Sequence, residues 1–356
     1  MGKSTVANLP VLGAAALAIA VAGCAGGRPD RGVLVPVAKT AEGTSRVTVL
    51  AATTRQRATA DPGAMFTGER APGLSYAAVT VSIPPDAARK VGEVQWPSAP
   101  PGDPGRDFVT VSANYLDKQA LSSAITATTR QTGRSRVLVF VHGFNNRFDD
   151  AVYRFAQIVH DANAPGIPLL FTWPSRGEMK LRAYTYDRES ANYSRDALEQ
   201  VLDMLAANPS VKEINVLAHS MGNWVTLEAL RGQSIRSGRI GAKIRNVILV
   251  APDVDVDVFR TQIGRMGSAR PRFLLFVSQD DEALRLSETI WGGVPRLGQI
   301  DPTQEPYSTE LAQDKIEVFD LTHLKGDAHS RAFEDITTVM EMVTQRLGDV
   351  QADARR

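Results

Sequence analysis

Apolar residues in this chain gather into short unbroken runs, and between the later runs the polar stretches repeat with helical spacing. A helical stretch from Asp117 to about Arg130 leads into "RVLVFVHGFNN". A helix over Asp149 to about Asn163 follows, then "PLLFTWPS", a helix over Ser190 to about Ala207, and "EINVLAHSMG". The alternation continues with a helix over Asn223–Arg231, the strand and long polar exit of "IRNVILVAPDVDVDVF", the strand "PRFLLFVSQDD" and a helix near Glu282–Ile290. "KIEVFDLTH" and a helix from about Arg331 to Leu347 complete it. These runs lack the alternation of a half-exposed sheet and read as strands covered on both faces, as in a parallel sheet. Strand–helix alternation with right-handed crossovers predicts a doubly wound, mostly parallel α/β fold flanked by helices. Its chemistry is expected at the carboxyl ends of the strands. Upstream, Arg46–Arg55, Leu74–Pro84 and "FVTVSANY" predict three more strands, and the turn-rich Gln95–Asp107 an exposed loop.

The start of the chain has a different character. Val11–Ala22 is an apolar run too short to cross a bilayer but suited to the core of a signal peptide, and Lys3 is the only charge before it. It ends in "VAGC", where Cys24, the only cysteine, completes a pattern that resembles a bacterial lipobox. This predicts a mature protein beginning at an acylated Cys24, each buried methylene adding about 0.8 kcal/mol of membrane attachment. Ala25 and Gly26 are not acidic, which favours the outer membrane, facing the periplasm. The expected organisation is a lipoprotein signal peptide over 1–23, a linker over 24–45, one domain over 46–348 and a tail over 349–356. The composition, 43% hydrophobic and 22% charged, suits a globular domain with a sizeable core. Formal net charge is +1, about zero once the leader is removed, which argues against a nucleic-acid partner.

The candidate chemistry centres on "AHSMG". Ser220 follows an apolar strand and precedes a helix, with Ala218 and Gly222 as the small flanking residues that a sharp strand-to-helix turn demands. Such a turn exposes the serine hydroxyl and puts the Met221 N–H at a helix N-terminus, where it can bind a developing oxyanion. The competing account makes Ser220 an ordinary helix N-cap. The second oxyanion donor is expected from "HGFN", where Gly143 permits close approach and Phe144 supplies the N–H. A serine nucleophile needs a base and an orienting acid, which follow it in the chain in this arrangement. His329 is preferred to His323 as the base, because a loop position leaves the ring able to reach the turn. Asp281 is preferred to Asp280 as the acid, with Asp253 or Asp255 as further alternatives. The alternating Asp253, Asp255 and Asp257 lack the glycine-bearing loop of a calcium site, so no metal is expected.

"VLVFVHGFNN", "FTWPSRG", "YDRESA", "AHSMGNW", "APDVD", "SQDDEALRLS" and "HS", in that order, resemble a bacterial alpha/beta-hydrolase family catalogued as a domain of unknown function, over roughly Arg46 to Leu347. The resemblance implies the alpha/beta-hydrolase fold and a triad of Ser220, Asp281 and His329. It implies no particular substrate. Arg331 stands in "HSRAF" where an aromatic residue is expected, which bears on local pocket shape.

Together these readings predict a lipid-anchored serine hydrolase that cleaves carboxylic esters of small molecules or lipids through an acyl-enzyme, with no cofactor. The alternatives are an amidase or thioesterase using the same triad, or a non-catalytic envelope protein that binds through the fold. Ser175–Ser190 and Trp291–Tyr307 are long for crossovers and are expected to act as lids or specificity walls. Trp173, Tyr184, Tyr186 and Trp291 are expected to line an acyl pocket.

Overall fold

Val137, Val139 and Val141 face one side of their strand and Leu138 and Phe140 the other, yet all five are buried. The strands with "EINVLAH" and "RFLLFV" do the same, which requires helices on both faces of the sheet. The computed structural model describes residues 27–61, 63–290, 292–322 and 339. It shows one nine-stranded sheet: β1 (Ser45–Arg57), β2 (Phe66–Ile83), β3 (Val109–Leu116), β4 (Arg136–Val141), β5 (Ile167–Thr172), β6 (Glu213–His219), β7 (Ile244–Val250), β8 (Arg272–Val277) and β9 (Glu317–Asp320). The order is β3-β2-β1-β5-β4-β6-β7-β8-β9. The first three strands form an antiparallel meander, and every pairing from β1–β5 onward is parallel.

The helices are α1 (Lys118–Thr132), α2 (Phe148–Asp161), α3 (Leu181–Ala207), α4 (Gly222–Ser237), α5 (Val256–Met266), α6 (Glu282–Ile290) and α7 (Tyr307–Gln313). α2 buries its apolar stripe, with Phe148, Val152, Phe155 and Val159, against one face of the sheet. Apolar residues of α1, α3, α4 and α5 cover the other face. The resulting fold is the alpha/beta-hydrolase fold, a mostly parallel sheet flanked by helices.

The structure departs from the sequence expectations in four elements. β2 begins at Phe66 rather than Leu74, because β1 runs on to Arg57 and pairs with it as far as Phe66, although the stretch after Phe66 is half-buried or exposed and so lacks an apolar run. α3 begins at Leu181 rather than Ser190, so most of the expected loop 175–190 is helix. "DVDVDVF" is not a strand exit. Asp255 accepts from the Asp257 and Val258 N–H groups and starts α5, which buries Val256, Phe259 and Ile263 at helical spacing. α7 starts at Tyr307, the last residue of the second expected lid, and fills a stretch before β9 for which no element was expected. The leader, Cys24 and, apart from the buried Val339, the expected last helix lie outside the described residues.

Candidate active site

Ser220 occupies the two-residue turn between β6 and α4 with φ at +50°, in the left-handed region that a non-glycine residue adopts at a cost. The neighbouring chain holds it there. Its N–H donates to Val250 O at 3.0 Å, and its carbonyl accepts from Asn223 N at 3.1 Å, Asn223 Nδ2 at 2.9 Å and Asp253 N at 3.3 Å. Asn223 is fully buried and also donates to Val250 O at 3.1 Å, so one amide ties the turn to the end of β7. The small neighbours are required by space. A Cβ on Gly222 would meet the Val141 and His142 carbonyl oxygens at 2.5 and 2.4 Å, and one on Gly143 would lie 3.0 Å from Ser220 Cβ.

The Met221 N–H heads α4, and the Phe144 N–H lies in the loop that follows β4. Among the described residues, neither meets a hydrogen-bond acceptor. The β4 loop is fixed from below by buried charges. Arg55, at the end of β1, is 1% exposed and donates to Asn146 O at 2.7 Å and Ser175 O at 2.8 Å. Asp187 on α3 accepts from the Ser175 hydroxyl, from Arg176 N at 2.9 Å and from Asn145 N at 3.4 Å. Burial lowers the Arg55 guanidinium to about 10, offset in part by the charge of Asp187. Burial also raises the Asp187 carboxyl to about 6 against the pull of its donors. His142 stacks on Trp173 with ring centres 4.8 Å apart, and burial, helped by Arg55, drops its pKa to about 3, so the ring is neutral. Sequence reasoning missed Arg55, Asp187 and Asn223. An arginine ending an otherwise apolar strand, in "LAATTR", was the available signal.

The four candidate acids have different surroundings. Asp281, four residues past the end of β8, is completely buried, and its Oδ1 accepts from Ala283 N at 3.0 Å and Leu284 N at 3.1 Å at the start of α6. Asp280 is half-buried and takes the Ser278 hydroxyl at 2.6 Å. Asp253 accepts from Tyr184 through Oδ2 and from Ser287 through Oδ1, with Arg296 Nε 3.6 Å away. Asp255 is the N-cap of α5. His329 and His323 lie outside the described residues. Among the described residues, no group of three His, Cys, Asp or Glu side chains could hold a metal ion.

The aromatic residues expected around an acyl pocket separate. Tyr184 packs edge-on against Phe144 with ring centres 5.1 Å apart, beside Asp253 and Ser287. Trp173 is completely buried and donates to His142 O at 2.9 Å, so it supports the β4 loop rather than lining an open pocket. Tyr186 is two residues from Tyr184 on α3, which turns it to roughly the opposite face of the helix. There it reaches Gly68 O at 3.2 Å and lies between Arg70 and Arg176. Trp291 lies outside the described residues. The second expected lid is tied to the sheet's edge along its middle. Leu297 N donates to Val254 O, Gly298 N to Pro252 O, and Gln299 Nε2 to Asp281 O at 2.6 Å.

Comparison with solved structures gives distant matches. An uncharacterized protein from Bacillus cereus is 11% identical, with a TM-score of 0.36, over 63% of this chain and 69% of its own. A lipase-esterase related protein from Clostridium acetobutylicum is 12% identical, with a TM-score of 0.31, over 59% and 94%. An esterase from Pyrococcus furiosus is 11% identical, with a TM-score of 0.31, over 60% and 84%. The comparison with curated proteins gives no match. The model of a family described as an alpha/beta hydrolase of unknown function (DUF900) matches residues 117–346, and the chain belongs to that family.

Proposed function

We propose that the protein is a serine hydrolase that cleaves carboxylic esters, with Ser220 as nucleophile. The observation that carries this reading is the backbone of Ser220, held at φ +50° between β6 and α4, together with the Met221 and Phe144 N–H groups, which meet no protein acceptor among the described residues. An N-cap serine needs neither the left-handed backbone nor the close approach that Gly143 and Gly222 allow.

In the proposed mechanism His329 takes the Ser220 proton as Oγ attacks the ester carbonyl. The negative charge that develops on the carbonyl oxygen is met by the Phe144 and Met221 N–H groups. Asp281 orients the imidazole and stabilises its charged form. Oδ1 accepts from Ala283 N and Leu284 N at the start of α6, which fixes the side chain that would face the ring. His329 then returns its proton to the leaving alcohol, and water, activated by the same base, releases the acid. Asp281 is favoured over Asp253, both of whose oxygens serve Tyr184 and Ser287.

A fluorophosphonate probe tests this reading. Intact protein should be labelled at Ser220, and Ser220→Ala should not be labelled while keeping its fold. An unlabelled wild type would leave the non-catalytic envelope protein as the better account. A matched series of ester, thioester and amide substrates then ranks the acyl-transfer activities, with the ester expected to be fastest. The location belongs to the same proposal, an acylated Cys24 holding the enzyme on the outer membrane. Cys24→Ser should move the protein out of the membrane fraction. An unmodified Cys24 in membrane-extracted protein would refute the anchor.

A further inference from the structure

We propose that Arg55, three strands away from the strand of Ser220, is a positioning residue that aims the Phe144 N–H at the oxyanion. The inference rests on the serine-hydrolase reading and extends it to a relay across the carboxyl edge of the sheet.

The relay follows from which atoms can donate. A guanidinium only donates. Arg55 Nε donates to Thr172 Oγ1 at 2.8 Å, and Arg55 Nη2 faces His142 Nε2 at 3.4 Å. Thr172 Oγ1 lies 2.9 Å from the same Nε2 and, already accepting from Arg55, has its proton to give. The Arg55 N–H, which cannot accept, therefore makes Nε2 an acceptor, and the Thr172 hydroxyl turns its proton to the same nitrogen. A neutral ring with Nε2 as acceptor carries its proton on Nδ1. Nδ1 lies 2.8 Å from Gly143 O, so the ring donates to that carbonyl.

The Gly143 carbonyl and the Phe144 N–H are opposite edges of one planar peptide. Fixing the oxygen fixes the direction of the N–H. Arg55 acts on this peptide a second time through Asn146. Its Nη2 holds Asn146 O at 2.7 Å, and Asn146 Nδ2 donates to Gly143 O at 3.3 Å. Donation into the carbonyl also polarises the peptide and makes its N–H a better donor. Without Arg55, Thr172 could accept from Nε2–H. Nδ1 would then face Gly143 O as a second acceptor, and the peptide would lose its orientation.

The test combines the ring tautomer with the rate of phosphonate labelling. Nitrogen-15 NMR of the intact protein should find His142 protonated on Nδ1, and Arg55→Met should shift the proton toward Nε2. Labelling of Ser220 should slow about tenfold to a hundredfold in Arg55→Met, less than the 10²–10³ typical of removing an oxyanion donor outright. Ester turnover should fall in kcat with KM little changed. Should Arg55→Met fail to fold, Thr172→Val removes the nearer partner of Nε2 and should slow labelling about tenfold, with Thr172→Ser restoring it. A wild-type ring protonated on Nε2, or labelling as fast as in the wild type in Arg55→Met (or, where that variant does not fold, in Thr172→Val), overturns the relay from Arg55 and leaves the serine-hydrolase reading standing. Absence of labelling in the wild type overturns the serine-hydrolase reading, and the relay with it.

Discussion

A Cβ on residue 222 would lie 2.4 Å from the carbonyl oxygen of His142, so Gly222 lets the first turn of α4 rest directly on the loop after β4. This contact brings the head of α4, and with it the Met221 N–H, up to the loop that carries Phe144. Alanine is the better helix former by about 1 kcal/mol, which taken alone would make Gly222→Ala stabilising. Here the added methyl meets two backbone oxygens that cannot rotate away. Gly222→Ala is therefore expected to lower stability by about 1–3 kcal/mol, as overpacking does, and to slow phosphonate labelling. A melting temperature at or above that of the wild type would contradict it.

In the proposed mechanism Asp281 both caps α6 and orients the base, and substitutions can separate the two roles. Asparagine keeps the oxygen that accepts from Ala283 N and Leu284 N but loses the charge. Asp281→Asn should lower turnover by about 10⁴-fold with a native melting curve. Asp281→Ala should add a loss of about 0.5–2 kcal/mol from the missing cap. Asp280→Asn should leave turnover within a few-fold of the wild type. Severe loss in Asp280→Asn or Asp255→Asn, with mild loss in Asp281→Asn, would move the acid elsewhere.

Two buried groups beneath the β4 loop bind protons in opposite senses. Asp187 is pushed up to about 6 from 3.8, so the native state keeps a proton that the unfolded chain releases between about pH 4 and 6. Its contribution to stability falls as pH rises through that window. His142 is pulled down to about 3 from 6.5, so the unfolded chain takes up a proton first and stability is lost as pH falls from about 6.5 to 3. Asp187→Asn removes the first effect and leaves the second. Urea unfolding should show the variant losing stability more steeply than the wild type between pH 6 and 4. Equal slopes would mean that Asp187 does not hold its proton in the native state.

Tyr184 joins Phe144, Asp253 and Ser287 at the carboxyl edge of the sheet. Removing its ring should enlarge the space beside the Phe144 loop. Tyr184→Ala is expected to raise the rate on long-chain esters relative to short ones, and Tyr184→Phe to change that ratio little. A series of chromogenic esters of increasing chain length measures both. An unchanged ratio in Tyr184→Ala would remove Tyr184 from the specificity wall.

The sequence by itself determined the parallel half of the sheet and the turn at Ser220. Unbroken apolar runs such as "RVLVFV" and "RFLLFV" have one low-energy fate, burial on both faces, and that fate is local to each run. Likewise, Ala218 and Gly222 around a serine between a strand and a helix constrain the backbone through nearest neighbours alone. Only the tertiary structure decided the rest. Whether "DVDVDVF" continues a strand or starts a helix depended on Asp255 accepting from Asp257 N and Val258 N and on the burial of Phe259 and Ile263. Trp173 reads in sequence as a candidate pocket residue, but its place under His142 is set by the adjacency of β4 and β5. Arg55, Thr172, His142 and Asp187 come from segments scattered between residues 55 and 187. A buried charge is tolerable only where such distant partners converge on it, and no local spacing records that convergence.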